Sequence, residues 1–374
     1  MQTELFIGLI SGTSMDGIDA ALVRFDDRRC ELLASRCTAY PDALHSRLMA
    51  AADDPSACGL PEFGMFQAEL SEAFAQAAVE LITASGHRRD DIAAIGSHGQ
   101  TLLHSPDGAA AFSLQAGDPG RIAVLTGIPT VGDFRNADIA LGGQGAPLVP
   151  AFHRWLFAQP GETRAVLNLG GIANLTILPA TGEIRGFDTG PANTLLDRWI
   201  RRHHNQPFDE NGAWAAGGKV DEALLEQLLA DPYFSRAAPR STGPEYFSLD
   251  WLDGQLQTFG QDIAAQDVQA TVAELTARSV ADALHAFAPL QAVAVCGGGA
   301  HNTDLLDRLQ RLLEGVQLDT TDAWGLPADQ VEAVAFAWLA RERLAGRPTA
   351  LPSVTGARAG VPLGGLYLPG MDAL

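Results

Sequence analysis

The chain opens with two hydrophobic runs that are separated by a polar segment. Residues 5–10 are apolar, residues 11–17 are small or polar, and residues 18–23 are again mostly apolar. This pattern predicts a β-hairpin with a polar tip. A similar arrangement returns at residues 165–178, where two apolar runs flank a pair of glycines. The sequence therefore predicts two halves that each begin with a hairpin.

Further strands and helices follow from the spacing of the apolar positions. The predicted strands lie at residues 92–95, 128–131, 184–187 and 292–296. The predicted helices lie at residues 43–54, 62–85, 148–158, 265–288, 304–313 and 328–345. Residues 205–260 are rich in glycine, proline and aromatic residues and give no clear pattern. The mixture predicts an α/β or α+β fold with an approximate internal duplication.

The character of the sequence changes near residue 136. Residues 141–147 read LGGQGAP and predict a hinge-like loop. We therefore predict an N-terminal domain of residues 1–136 and a C-terminal domain of residues 137–345. The tail, residues 346–374, is expected to pack back on the N-terminal domain.

Composition and charge exclude several classes of protein. The chain has 374 residues, of which 25 are basic and 45 acidic, and its net charge is −20. Such a charge repels nucleic acid and anionic lipid surfaces, so we expect neither nucleic acid nor membrane as a partner. The four cysteines form no C-x-x-C pair, which gives no indication of a zinc site or a disulfide scaffold. With no signal-peptide pattern and no long apolar run, the sequence predicts a cytoplasmic protein.

The polar tip of the first hairpin is longer than the two residues that a tight turn needs. Seven small or polar residues can fold backbone N–H groups around a phosphate, although a purely structural turn remains an alternative. The tip is not a Walker A loop, because no lysine is near. The glycine pair of the second hairpin has the same two interpretations.

Three consecutive glycines, Gly297, Gly298 and Gly299, follow a predicted strand and precede a helix. Consecutive glycines let a ligand approach the backbone, and a helix N-terminus favours anions. A structural turn normally needs one glycine. The spacing is not G-x-G-x-x-G, so a Rossmann dinucleotide loop is not indicated.

Polar residues also follow other predicted strands. Asp188 ends one strand and is either a helix N-cap or a carboxylate that acts as a general base. Glu332 lies on a predicted helix, where an exposed surface acid is the alternative. Four more candidates stand in loops after strands, where ordinary loop roles are also open, namely His98, Gln100, Asp133 and Arg135.

Together these segments resemble the family of anhydro-N-acetylmuramic acid kinases, within the actin-like ATPase superfamily that includes the sugar kinases. The resemblance covers residues 5–365. The matching segments, in chain order, are residues 7–19, 96–101, 133–135, 142–148, 168–174, 187–191, 296–302 and the surroundings of Glu332.

The resemblance implies an α/β fold of the two-domain actin-like ATPase (sugar kinase) type. Each half would contain a mixed β-sheet flanked by helices, with the active site in the cleft between the domains. It implies a bacterial, cytoplasmic, homodimeric enzyme of peptidoglycan recycling. The expected reaction takes 1,6-anhydro-N-acetylmuramic acid, ATP and water, with Mg²⁺, and yields N-acetylmuramic acid 6-phosphate and ADP.

The resemblance also implies roles for individual residues, with no residue assigned to the metal. Asp188 is the candidate base that activates water, and Glu332 is the second candidate. The ATP-binding residues would be Gly12, Thr13, Ser14, Met15, Asp16, Gly17, Ile18, Asp19, Asn168, Gly170, Gly171, Gly297, Gly298, Gly299 and Asn302. The residues that bind the amino sugar would be His98, Gln100, Asp133, Arg135, Gln144 and Asn193.

Two other functions remain open at this point. The first is a phosphotransferase of the same superfamily that acts on a free hydroxyl or a carboxylate. The second is a nucleotide-dependent scaffold or sugar sensor without catalysis. A sensor of that superfamily would usually carry a DNA-binding helix-turn-helix, for which there is no room before the strand that starts near Leu5.

Overall fold

The computed structural model describes residues 4–370 except residues 13, 14, 16, 27, 28, 56, 57 and 239. The chain forms two compact units. Unit 1 comprises Met1–Leu156 and Gln330–Leu374, and unit 2 comprises Phe157–Asp329.

Unit 1 is built on a six-stranded mixed sheet with the strand order β13-β7-β4-β1-β2-β3. Its strands are β1 (Glu4–Ile10), β2 (Gly17–Phe25), β3 (Cys30–Ala39), β4 (Ile92–Ser97), β7 (Thr130–Gly132) and β13 (Gly365–Tyr367), and a separate two-stranded sheet contains β5 (Gln100–Ser105) and β6 (Phe112–Ala116). The first three strands form an antiparallel meander. Strand β4 lies parallel to β1, and β7 lies parallel to β4.

Unit 2 repeats this plan in a five-stranded sheet with the order β10-β9-β8-β11-β12. Its strands are β8 (Arg164–Leu169), β9 (Ile172–Leu178), β10 (Arg185–Pro191), β11 (Ala292–Cys296) and β12 (Gln317–Thr320). Strands β8, β9 and β10 again form an antiparallel meander, and β11 and β12 again follow in parallel on the other side of the first strand. The predicted internal duplication and the mixed sheet in each half are confirmed.

Helices accompany both sheets, as predicted. Those of unit 1 are α1 (Asp42–Asp53), α2 (Leu60–Ser85), α3 (Pro119–Thr126), α4 (Asn136–Ala140), α5 (Pro150–Phe157, which ends at the unit boundary), α12 (Val331–Leu344) and α13 (Pro352–Thr355). Those of unit 2 are α6 (Asn193–His204), α7 (Ala213–Ala216), α8 (Glu222–Leu229), α9 (Leu249–Phe259), α10 (Ala265–His285) and α11 (Thr303–Leu312). Among the residues described, none of these helices is both long and apolar enough to span a membrane.

Helix α12 lies directly on the sheet of unit 1 because two glycines leave room for its backbone. A Cβ atom at Gly8 would overlap the carbonyl oxygen of Ala333, and one at Gly96 would overlap that of Phe336. Gly8 and Gly96 are partners in the β1–β4 register. Since Gly8 lies near the end of β1, this contact places the N-terminus of α12, and with it Glu332, at the carboxyl edge of the sheet.

The domain boundary that we predicted at residue 136 is wrong. The loop after α4 belongs to unit 1, because the Gly145 N–H donates to Asp138 Oδ2 at 2.8 Å and the Gln144 N–H donates to the Thr355 carbonyl at 2.8 Å. Buried Asp138 also accepts the Thr355 hydroxyl at 2.7 Å. The chain enters unit 2 at Phe157 and leaves it after Asp329, so α12 joins unit 1 instead of the C-terminal domain. The two contacts with Thr355 join residues more than 200 positions apart, which a local sequence pattern cannot indicate.

Candidate active site

The parallel strands β1, β4 and β7 of unit 1 end at one edge of the sheet, where most of its predicted site residues lie. Gly12 follows β1, His98 follows β4, and Asp133 and Arg135 follow β7. The carboxyl ends of parallel strands are the usual place for ligands in α/β proteins. The sequence predictions for unit 1 are thus brought together in space.

His98 and Arg135 form a hydrogen-bonded pair at this edge, in which His98 is buried and Arg135 is half-buried. The Arg135 guanidinium donates to His98 Nε2 through Nε at 3.1 Å and Nη2 at 2.8 Å, and through Nη1 to the Gly145 carbonyl at 2.8 Å. His98 Nδ1 lies 3.0 Å from the Gly99 carbonyl, which fixes the neutral tautomer with the proton on Nδ1. Burial and the Arg135 charge lower the pKa of His98 to about 3. Because both ring nitrogens are engaged, His98 orients Arg135 and does not itself offer a free donor to a substrate.

Glu332 is coupled electrostatically to this pair. Enclosure by protein raises the pKa of its carboxyl, the Arg135 charge lowers it, and Asp19 raises it. Glu332 nevertheless remains exposed to solvent. Burial in turn lowers the pKa of Arg135 to about 10, against the opposing effect of Glu332. Glu332 is thus exposed, as the alternative of a surface acid predicts, but its carboxyl also experiences the charge of half-buried Arg135.

The hairpin tip of unit 1 is only partly described. Thr13, Ser14 and Asp16 lie outside the described residues, whereas Gly17, Ile18 and Asp19 begin strand β2. The Gly12 carbonyl accepts the Met15 N–H at 3.2 Å and Gln100 Nε2 at 3.4 Å. Buried Met15 has a left-handed φ of 53°. Gln100 thus fastens the Gly12 end of the tip by a hydrogen bond.

Two further residues predicted to bind the sugar are engaged with neighbours in unit 1. Gln144 Nε2 donates to Asp107 Oδ1 at 3.1 Å, and Asn136 Nδ2 donates to Asp133 Oδ1 at 2.7 Å. Asp133 has a φ of 55°, which is unusual for a residue other than glycine and is often found at functional sites. The Asp133 side chain is exposed at the carboxyl edge of the sheet. The Gln144 side chain is exposed on the loop after α4.

In unit 2, strands β8, β10 and β11 also end at one edge, and the second hairpin tip lies there. The Gly171 carbonyl accepts the N–H groups of Ala192 and Thr194, at 3.0 and 3.1 Å, and the Gly170 carbonyl accepts that of Asn193 at 3.1 Å. Asn193 Nδ2 also donates to the Leu169 carbonyl at 2.9 Å. Asn193, predicted to bind the sugar, therefore fastens the tip to the start of α6.

The three glycines after β11 differ in their surroundings. Gly297 has a φ of 78°, and a Cβ there would overlap Asn168 Oδ1. A Cβ at Gly299 would lie 2.5 Å from Leu169 Cβ, whereas one at Gly298 would meet only Asn193 Nδ2 at 3.9 Å. Gly297 and Gly299 are thus needed by the fold, and Gly298 alone leaves open, accessible space.

Asn302, predicted to contact the nucleotide, caps α11. Its Oδ1 accepts the Leu305 N–H at 3.0 Å. The helix therefore begins at Thr303, and residues 298–301 form a single 3₁₀ turn before it. The sequence pattern did predict a helix after the glycines, but not the intervening turn.

Asp188 lies inside strand β10, and α6 begins only at Asn193, so the alternative of a helix N-cap is wrong. Its carboxylate Oδ2 accepts the Thr242 N–H at 3.0 Å. Burial raises the pKa of Asp188 to about 6, while the Thr242 N–H and the Arg240 charge act in the opposite direction. A carboxylate with a pKa near 6 is ionised at pH 7 and is still basic enough to accept a proton.

Three residues around Asp188 were not predicted from the sequence, namely Tyr233, Arg240 and Thr242. They lie in the segment of residues 205–260 that gave no periodic pattern. The only signal was the density of aromatic and arginine residues between α8 and α9.

Comparisons with known proteins agree with the motifs. A model of the family "Anhydro-N-acetylmuramic acid kinase" matches residues 4–369. The protein of that name from Xanthomonas axonopodis pv. citri (strain 306) is 53% identical, over 98% of this chain and 99% of the relative. Its namesake from Xylella fastidiosa (strain Temecula1 / ATCC 700964) is 51% identical, over 95% of this chain and 93% of the relative.

Solved structures resemble the chain only distantly. A ROK family glucokinase from Streptomyces griseus, in complex with glucose and AMPPNP, is 17% identical with a TM-score of 0.41, over 90% of this chain and 99% of that one. Scores this low carry no weight for the site. On the match of the family model and the identity to the curated relatives, the chain belongs to the anhydro-N-acetylmuramic acid kinase family, as its motifs predicted.

Proposed function

We propose that the chain converts 1,6-anhydro-N-acetylmuramic acid, ATP and water into N-acetylmuramic acid 6-phosphate and ADP in peptidoglycan recycling. The observation that carries this proposal is Asp188, a half-buried carboxylate with a pKa of about 6 in a chain of this family. We further propose the cytoplasm as its location. The homodimer stays a prediction.

The substrate chemistry explains why one basic carboxylate is needed. In the anhydro sugar, O6 is bound to C1 in an ether bridge and carries no proton, so there is no hydroxyl for a base to deprotonate. A water molecule must attack C1 instead. Asp188 takes a proton from this water, the C1–O6 bond breaks, and O6 accepts the γ-phosphoryl group as ADP leaves. Thr242 engages Oδ2, which leaves Oδ1 as the proton acceptor.

Arg135 and Glu332 have a supporting role in this proposal. Arg135 is held by His98 and by the Gly145 carbonyl, so its charge has a fixed position beside Glu332. That charge favours the ionised form of Glu332, which makes Glu332 the second candidate for the base. Asp188 is preferred because its environment brings its pKa to a value suited to proton transfer near pH 7.

ATP fits the glycine-rich turns at the carboxyl edge of the unit 2 sheet. A Cβ at Gly298 would meet only Asn193 Nδ2 at 3.9 Å, and one at Gly170 would make ordinary contacts, the nearest with the Ile172 carbonyl oxygen at 3.6 Å, so a nucleotide can approach the backbone there. Mg²⁺ would neutralise charge on the transferred phosphoryl group. Among the described residues no three His, Cys, Asp or Glu side chains form a metal cluster. Nucleotide-bound Mg²⁺ commonly needs only one or two carboxylates besides the phosphates.

A substrate panel tests the proposed function. Purified protein is incubated with ATP and Mg²⁺ and either 1,6-anhydro-N-acetylmuramic acid, N-acetylmuramic acid or N-acetylglucosamine, and the sugar phosphates are identified by mass spectrometry. We expect phosphorylation of the anhydro sugar alone, with the mass of one added water. Comparable turnover of N-acetylmuramic acid would instead identify a kinase for a free hydroxyl.

A further inference from the structure

Asp188 lies on the edge strand of its sheet, so one side of its main chain is not used by a neighbouring strand. Among the strands that the structure describes, β10 pairs with β9 alone, opposite Asn174 at this position, and its register shifts between Asp188 and Gly190. A register shift locally disrupts the strand pairing, and an edge strand carries main-chain groups that no neighbouring strand holds. Something else must fix the peptide of Asp188 if its carboxylate is to keep one orientation.

Residues 233–242 supply that support through four hydrogen bonds to Asp188. The Asp188 carbonyl accepts the Tyr233 hydroxyl at 2.8 Å and Arg240 Nε at 3.1 Å. The Asp188 N–H donates to the Arg240 carbonyl at 2.9 Å, and Oδ2 accepts the Thr242 N–H. The main chain and the carboxylate of Asp188 are thus held by one loop.

Arg240 is itself held rigidly. Its Nη1 donates to the carbonyls of Tyr233, Phe234 and Arg236, at 3.3, 2.8 and 2.9 Å. Its guanidinium also stacks on the Tyr233 ring, 5.0 Å from the ring centroid. Arg240 Nε donates to the Asp188 carbonyl while Nη1 donates to the loop carbonyls, and the single nitrogen of a lysine cannot occupy both positions.

Asp231 anchors the same segment to the helices of unit 2. Its carboxylate accepts the Tyr246 hydroxyl at 2.8 Å, the indole N–H of Trp251 at 2.9 Å and the Tyr233 N–H at 2.8 Å. Tyr233 and Phe247 are completely buried in this cluster. The aromatic residues that gave no pattern in the sequence therefore build a rigid base for Arg240.

We propose that Arg240 and Tyr233 are positioning residues that fix the orientation of the Asp188 carboxylate, an inference that rests on the proposed role of Asp188 as the base. Neither residue needs to touch the substrate. Arg240 places a positive charge beside the carboxylate, and Tyr233 and Arg240 together hold the carbonyl of the same residue. The segment between α8 and α9 is on this view part of the catalytic apparatus.

The charged and titratable groups that act on Asp188 from this loop are Arg240 and Tyr233. The Arg240 charge lowers the pKa of Asp188. Burial and the Asp188 charge raise the pKa of Tyr233 above its ordinary value, so its hydroxyl stays protonated and remains a donor. Removing the Arg240 charge should therefore raise the pKa of Asp188.

Four variants test this inference alongside Asp188→Asn. Arg240→Gln removes charge and fork, Arg240→Lys keeps the charge, and Tyr233→Phe removes one hydroxyl. The matched control is Arg202→Gln, since Arg202 also stacks on an aromatic ring, Trp199, but pairs with Asp253 and makes no contact with Asp188. For each variant, kcat, the KM for ATP, the pH dependence of kcat and thermal unfolding are measured.

We expect Arg240→Gln to lower kcat about 10–100-fold, as for a misplaced catalytic group, without changing the KM for ATP. The acidic limb of its kcat profile should move to higher pH. Arg240→Lys should lower kcat while the limb stays at the parent position, and Tyr233→Phe should lower kcat less. Arg202→Gln should match the parent in all of these quantities.

The outcomes separate this inference from the proposed function. If Asp188→Asn is inactive but Arg240→Lys and Tyr233→Phe fold normally and keep the parent kcat, and no variant shifts the acidic limb, the positioning role is wrong and the function stands. If Asp188→Asn keeps the parent kcat, Asp188 is not the base and the positioning role is wrong with it, while the substrate panel decides separately whether the proposed reaction stands. Should Arg240→Gln fail to fold, Arg240→Lys and Tyr233→Phe decide by their kcat values.

Discussion

Replacing Asp188 by asparagine is expected to reduce kcat by about 10²–10⁴-fold, the usual contribution of a general base. Asparagine keeps the size of the side chain and can still accept the Thr242 N–H, but it cannot take a proton from water. The KM values for ATP and sugar should change little. In the parent, kcat should fall as the pH drops through about 6, because Asp188 must be ionised to act.

Thermal unfolding provides the control for this variant. The folded-state pKa of Asp188, about 6, lies above its ordinary value of 3.8, so ionising the side chain costs the folded state free energy. That cost is absent below pH 3.8, grows as the pH rises to about 6, and is constant above. Asp188→Asn should therefore have the higher Tm at pH 8 and no such advantage at pH 3.5. A variant that is inactive because it unfolds would have a lower Tm than the parent at pH 8.

Full activity in Asp188→Asn together with an inactive Glu332→Gln would move the base to Glu332.

Replacing Gly298 by valine is expected to raise the KM for ATP about 10–100-fold. A change of this size corresponds to the loss of about one charge-assisted hydrogen bond to a phosphate. The valine side chain has room in the free protein, because the nearest atom to its Cβ is Asn193 Nδ2 at 3.9 Å. It would occupy the space through which the nucleotide reaches the backbone. Isothermal titration with a non-hydrolysable ATP analogue measures the effect directly, and sugar affinity without nucleotide should change much less.

Two other glycines make this test specific. Gly254→Ala on helix α9 has nothing within 4 Å of the new Cβ and should leave nucleotide affinity unchanged. Gly299→Ala should lower the Tm, because its Cβ would press on Leu169. If Gly298→Val binds the analogue as the parent does, the triple-glycine turn is structural only.

The sequence predicted those features that depend on local pattern. Alternating and continuous apolar runs located β1, β2, β8, β9 and β11 within a few residues, because each strand contributes several buried side chains in a row. Glycine clusters located the turns at the carboxyl edges. The repeated hairpins predicted the shared topology of the two sheets.

Features that depend on distant partners were missed. The exposed edge strand β3 and the short edge strands β12 and β13 show little apolar pattern. The unit boundary depends on Asp138 and on α12, whose partners lie far away in the sequence. The support of Asp188 comes from single side chains in an irregular segment, which leave no periodic signal.

In the proposed mechanism, water attacks C1 of the anhydro sugar while O6 takes the phosphoryl group. The most direct test is to run the reaction in ¹⁸O-water and to locate the label in N-acetylmuramic acid 6-phosphate by mass spectrometry, before anomeric exchange with solvent. The proposed mechanism predicts ¹⁸O on C1 and none in the phosphate. Label in the phosphate and none on C1 would mean that water attacks phosphorus, which contradicts the coupled opening and transfer.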